Sequence, residues 1–203
     1  MDSNQDQRAL VSWLIPAWLF CMAVTVPAAE IVIDNGDPGY SVSGVTEQEG
    51  ITDAYSGDQA FNSTSGDTGH SASYTFDGLV SGNYEVFASW RQGGQGNVGA
   101  MKVAVSDGGP TVDVVQTNVG PSADLVLNDG SIDVNFQKVG EVTVSDGQLV
   151  VTTSLGSGNF FINDAIAINA LIGDADNDGM PDDWEDDNGL DKTVDDAAGN
   201  PGG

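Results

Sequence analysis

Apolar side chains recur at every second position through much of this chain, and that period constrains the fold more than any other feature. Tyr84, Val86, Ala88 and Trp90 alternate with Glu85, Ser89 and Arg91, and Ile132, Val134 and Phe136 alternate with Asp133 and Asn135. Successive side chains of a strand point to opposite faces, so such segments bury one face and wet the other. Trp90 keeps the register of Tyr84, Val86 and Ala88, which places it in the core. The pattern predicts strands over 31–34, 40–45, 71–76, 84–90, 101–106, 112–117, 132–136, 142–145, 149–153 and 160–169. Asp77-Gly78, Asp129-Gly130 and Asp146-Gly147 are turn signals between them. No amphipathic helical stretch interrupts the series. The expected fold is all-β: an antiparallel β-sandwich, jelly-roll-like, over residues 29–172. That span of about 140 residues is long enough to bury its own core.

A different chemistry follows in 174–185, which reads DADNDGMPDDWE. Counted from Asp174, the third position is Asp176, the fifth Asp178, the sixth Gly179, the ninth Asp182 and the twelfth Glu185. This is the ligand spacing of an EF-hand calcium loop, with the carbonyl of Met180 supplying the seventh position. Carboxylates at alternate positions of a tight loop converge on one point, as a hard cation with six to eight oxygen ligands requires. A merely solvated acidic linker is the plainer reading. It does not explain glycine at six and glutamate at twelve beside three aspartates. The expected ligands are Asp174, Asp176, Asp178, Met180, Asp182 and Glu185, binding Ca2+ at about 10⁻⁴–10⁻³ M as in extracellular modules. Pro181 lacks the N–H by which paired EF-hands join at the eighth position, but it suits the first turn of a short helix over 181–188, stopped by Gly189. The segment resembles the thrombospondin type 3-like calcium repeats of secreted bacterial proteins, in which a second Asp-rich loop usually follows. Here Asp195-Asp196 leads only to Asn200-Pro201-Gly202-Gly203, so residues 173–203 read as a truncated repeat or linker, with other domains expected beyond residue 203.

Residues 1–28 read as a secretory signal peptide. Arg8 precedes an apolar run over 9–26, broken by Ser12, Pro16 and Thr25, and Val26-Pro27-Ala28 offers small residues for cleavage near Ala29. The alternative is an uncleaved membrane anchor. Cleavage would remove Cys21, the single cysteine, and with it any disulfide, thiolate metal site or thiol nucleophile. The full chain has 31 acidic and 5 basic residues and a formal net charge of −26. Nucleic acid and anionic membranes need a basic patch, so neither is an expected partner.

A family resemblance lies in four motifs taken in order. They are Ile33-Asp-Asn-Gly-Asp-Pro-Gly-Tyr-Ser-Val-Ser-Gly44, Ala72-Ser-Tyr-Thr-Phe-Asp-Gly-Leu79, Ser81-Gly-Asn-Tyr-Glu-Val-Phe-Ala-Ser-Trp90 and Asn163-Asp-Ala-Ile-Ala-Ile168. Together they span residues 31–170 and resemble the golvesin/xanthan-lyase carbohydrate-binding-like domain. The resemblance implies a β-sandwich appended to secreted enzymes or surface proteins, with a carbohydrate-binding role. Members often carry an aromatic after the glycine matched by Gly44, where Val45-Thr46 stand here, so the resemblance supplies no sugar contact at that position.

Sugars stack on exposed aromatics, and the candidates outside clear core positions are Tyr40, Tyr55, Phe61 and Phe87. Tyr55 and Phe61 lie in the irregular stretch 46–70, where a loop on a rigid sandwich could carry a binding site, or the two could simply tie that loop down. His70, the only histidine, lies in one Gly/Ser loop with Asp67 and Ser71. A hydrolytic triad is assembled from distant positions, and three loop neighbours do not make one. The glycines of 92–99 are followed by no helix and no phosphate-binding lysine. No catalytic site is legible, and the expected role is a secreted, non-catalytic module binding a polysaccharide or cell-surface glycan. The alternatives are a calcium-stiffened spacer of a larger extracellular protein and, more remotely, a polysaccharide hydrolase or lyase with an unrecognised carboxylate pair.

Overall fold

The computed structural model describes residues 30–62, 64–92, 98–171, 173, 182, 185 and 188–194. In chain order the strands are β1 (Ile31–Ile33), β2 (Tyr40–Ser43), β3 (Val45–Glu49), β4 (Asp58–Asn62), β5 (Ser71–Asp77), β6 (Gly82–Ala88) and β7 (Ala100–Val105). There follow β8 (Thr111–Val115), β9 (Leu125–Asn128), β10 (Asp133–Val144), β11 (Gln148–Ser157), β12 (Ile162–Asn163) and β13 (Ile166–Leu171). One five-stranded sheet has the order β1-β13-β6-β10-β9 and the other β2-β5-β11-β7-β8, while β12-β4-β3 form a smaller sheet. Every pairing between these strands is antiparallel. The all-β, jelly-roll-like sandwich expected from the sequence is the fold observed.

The period-two pattern builds the main core directly. Ala72, Tyr74 and Phe76 on β5, and Leu149, Val151 and Leu155 on β11, turn inward from one sheet. They meet Val86 and Ala88 on β6, Val142 and Val144 on β10, and Ile166 and Ile168 on β13. Trp90 is fully buried, as its register predicts, and its Nε1–H donates to the Val119 carbonyl at 2.8 Å.

Several expectations need correction. Phe87, a candidate for sugar contact, is only 4% exposed. The sheet containing β6 is covered on its outer face too, where Phe87, Val134, Phe136, Ala165 and Ala167 form a second cluster beneath Tyr55, Leu125 and Leu127. The expected strands at 132–136 and 142–145 are one strand, β10, carrying an irregularity between Lys138 and Gly140. That extra residue breaks the alternation, so the sequence reads as two segments with a gap. The segment 160–169 divides in the opposite sense, because Asp164 and Ala165 carry the chain from the small sheet at β12 to the large one at β13. The short strands β3, β4 and β9 lie outside the expected set. β3 is exposed along four of its five residues, so no buried face marks it in the sequence.

Candidate functional site

Of the expected calcium ligands, Asp174, Asp176, Asp178 and Met180 lie outside the described residues, as does the segment 1–28 expected to be a signal peptide. Asp182 and Glu185 are described and are helical, as is Asn188. The Asp182 N–H donates to the Gly173 carbonyl at 2.7 Å. Glu185 is fully buried. The Leu190 N–H donates to the Glu185 carbonyl at 2.9 Å and Gly189 has a φ of 71°, the six-to-one closure of a helix ended by a left-handed glycine.

The remaining aromatic candidates are half-buried, and their rings are engaged. Tyr40 lies against Tyr74, with centroids 5.2 Å apart, and Tyr55 meets Phe136 edge-on at 5.7 Å. Phe61, on β4, packs against the main core. Among the described residues, the large apolar side chains that are exposed are all aliphatic, Val80, Val115 and Val119 foremost. His70 Nε2 stands 3.4 Å from Asp67 Oδ2 and its ring lies against Gly44. Ser71 opens β5 in the ladder with β2 and β11, so the three loop neighbours form no triad.

What the structure assembles, and sequence reading missed, is a cluster of carboxylates at one corner of the sandwich. Asp34 follows β1, Asp58 opens β4 and Asp164 lies between β12 and β13, and one oxygen from each lies within 4.8 Å of the other two. Asp34 and Asp164 are buried and Asp58 half-buried. The Asn35 N–H donates to Asp34 Oδ1 at 2.8 Å. Asp164 Oδ2 accepts from the Tyr55 N–H at 2.9 Å and from the Ser89 hydroxyl at 3.3 Å. Its Oδ1 has no hydrogen-bond partner, and neither do Asp58 Oδ1 and Asn35 Oδ1. Tyr74 braces the same corner, donating to the Asp164 carbonyl at 2.9 Å and accepting from Asn163 Nδ2 at 2.8 Å.

The electrostatics follow from burial without counter-charge. Burial, reinforced by the Asp58 carboxylate, pushes the Asp34 carboxyl up to about 7. Burial also raises Asp58, and it raises Asp164 well above the ordinary carboxylate range, with Asp34 and Asp58 adding to the latter effect. Burial likewise raises the phenols of Tyr40 and Tyr55, and the Asp34 charge lies close enough to contribute to both. Two aromatic residues singled out from sequence therefore flank the cluster. The sequence signal for it was slight: Asp34 and Asp164 both sit in the resemblance motifs beside apolar residues, inside the strands expected over 31–34 and 160–169.

No family model matches the chain, and no curated protein does either. Solved structures do resemble it. A Paenibacillus xanthan lyase matches with a TM-score of 0.54 at 20% identity, over 71% of this chain and 13% of the lyase. The Podospora anserina GH26-CBM35 β-(1,4)-mannanase matches with a TM-score of 0.52 at 11% identity, over 72% of this chain and 28% of the mannanase. A family 35 carbohydrate-binding module from Clostridium thermocellum aligns along its whole length with a TM-score of 0.49 at 11% identity. At these identities the likeness establishes the fold. It is a β-sandwich also present as a small part of much longer chains, and the xanthan lyase named by the sequence resemblance is among them.

Proposed function

We propose that the sandwich is a secreted, non-catalytic accessory module that binds polysaccharide or cell-surface glycan, followed by a calcium-binding loop. The observation that carries this reading is the scale of the two structural matches. A module-sized piece of a xanthan lyase and of a mannanase shares this fold, covering 13% and 28% of their lengths. Within this chain, the carboxylate cluster found among the described residues, Asp34, Asp58 and Asp164, is mostly buried, which does not leave a pair of carboxylates open to flank a glycosidic bond. With no exposed aromatic among the described residues, sugar contacts would come from ring edges such as Phe61 and from polar loops rather than from a flat stacking face. Complete burial of Glu185, the residue expected to close the loop, suits a metal ligand better than a solvated linker charge.

A screen of the chain against polysaccharides, run with calcium and with EDTA, tests the reading. Binding in both conditions would assign recognition to the sandwich, and binding only with calcium would make the cation part of recognition. No binding to any glycan would refute the module reading in favour of a calcium-stiffened spacer, with which the purely aliphatic character of the large apolar side chains exposed among the described residues agrees. Asp176→Ala should weaken calcium binding by the loop at least tenfold in a calorimetric titration; unchanged affinity would sink that assignment.

A further inference from the structure

We propose that Asp34, Asp58 and Asp164 hold a calcium-class divalent cation that clamps the end of β1, the start of β4 and the β12–β13 connection. This site shares no residue with the loop over 174–185. Oxygens that ligate one Ca2+ at 2.3–2.6 Å stand within about 5 Å of one another, and the three carboxylates present oxygens within 4.8 Å. Neighbouring groups supply an independent sign of a ligand. Asn35 is 7% exposed and leaves its Oδ1 without a partner. The Asn35 side chain lies close to the Asp58 carboxylate, at the edge of the cluster. Asp164 is fully buried, and its Oδ2 is held by Tyr55 and Ser89 while Oδ1 has no partner. A carboxylate fixed through one oxygen and open at the other is oriented as a metal ligand is by its supporting shell.

Charge points the same way. The basic side chains of the sandwich are engaged elsewhere: Arg91 pairs with Asp53, Lys102 with Asp113, and Lys138 with Glu85 and Glu141. Burying several carboxylates together without a cation is costly. A donor set made only of oxygens selects a hard ion over zinc or copper. An ion there would join three segments far apart in sequence, residues 34, 58 and 164, at the corner where the small sheet meets the large one.

The test uses the full chain carrying Asp176→Ala, so that the C-terminal loop is impaired, with and without Asp164→Asn. Calcium binding is read by calorimetry, terbium occupancy by luminescence sensitised through nearby tyrosines, and stability by thermal unfolding. The Asp176→Ala chain is expected to bind one calcium ion, and its midpoint should rise by about 5–10 °C at calcium 100-fold above Kd. Adding Asp164→Asn should abolish both the binding and the rise while leaving the calcium-free midpoint no lower, since the Asn carbonyl can still accept from the Tyr55 N–H and the Ser89 hydroxyl. Should Asp164→Asn not fold, Asp58→Asn at the half-buried position makes the same comparison. An Asp176→Ala chain with neither bound ion nor midpoint rise would overturn the proposal, as would a rise that survives substitution within the cluster.

Discussion

Gln116 is wholly buried directly after β8, and its side chain acts as a missing strand neighbour. Its Nε2–H donates to the Ile162 carbonyl and its Oε1 accepts from the Ile162 N–H at 2.9 Å. Ile162 pairs with Phe61 of β4 along its strand, so the Gln116 amide satisfies backbone groups that the two-residue β12 cannot pair by itself. Gln116→Met keeps the length of the side chain and removes both bonds. Each buried backbone group left unpaired costs about 1–3 kcal/mol, so loss of both partners should cost roughly 2–6 kcal/mol. With a urea m-value of about 2 kcal/mol/M for a domain of this size, the unfolding midpoint should fall by about 1–3 M. Gln116→Glu adds a sign test. Its carboxylate can still accept from the Ile162 N–H but faces the Ile162 carbonyl without a proton. Acidification restores a donor, so the Glu variant should recover toward the parent at low pH while the Met variant does not. A Met variant within about 0.5 kcal/mol of the parent, or a Glu variant insensitive to pH, would refute the pairing role.

Asp34 is raised from 3.8 to about 7, so the folded chain keeps a proton that the unfolded chain has lost. The resulting stabilisation is complete below pH 3.8 and disappears as pH rises through about 7. In calcium-free buffer the urea midpoint should therefore fall across that window, with a slope of up to about 1.4 kcal/mol per pH unit, and a rising midpoint would contradict the assignment. Gly99 packs against the Ser157 carbonyl and the Gly158 backbone, leaving no room for a Cβ. Gly99→Ala should cost about 3 kcal/mol or more, measured by the same denaturation, and a near-neutral effect would show that the β11–β12 turn gives way.

How much of this was legible in the sequence depended on whether the deciding contact was local. Tyr84, Val86, Ala88 and Trp90 announce their own strand, because alternation is a property of neighbouring residues. The burial of Trp90 followed from register alone. Phe87 sits in the same segment and was misread, because what covers it is Tyr55 and the β9–β10 hairpin, distant in sequence. Lys138 to Gly140 hid one strand as two, since a bulge erases the period at the place where the strand continues. The short helix before Gly189 was readable from proline and glycine placement, and its described residues follow that reading.

The aspartate corner is the extreme case of the same rule. Asp34 stands in Ile33-Asp34-Asn35-Gly36, a sequence that reads as a turn, and the chain does turn there, with the Asp37 N–H donating to the Asp34 carbonyl at 3.1 Å. Asp58 stands among polar residues and Asp164 follows Asn163, so neither is conspicuous in a chain with 31 acids. Only the pairing of β1 with β13, and of β12 with β4, brings residues 34, 58 and 164 to one point. The proposed calcium loop over 174–185 is the converse, since its expected ligands are close in sequence and the spacing itself suggests the chemistry. An acidic composition therefore conceals two kinds of carboxylate. Some are solvated on the surface, where net charge favours solubility. Those at the corner are brought together by folding at a cost of several kcal/mol, and a bound divalent cation offsets that cost only in the folded state, so calcium should stabilise the sandwich itself as well as the tail.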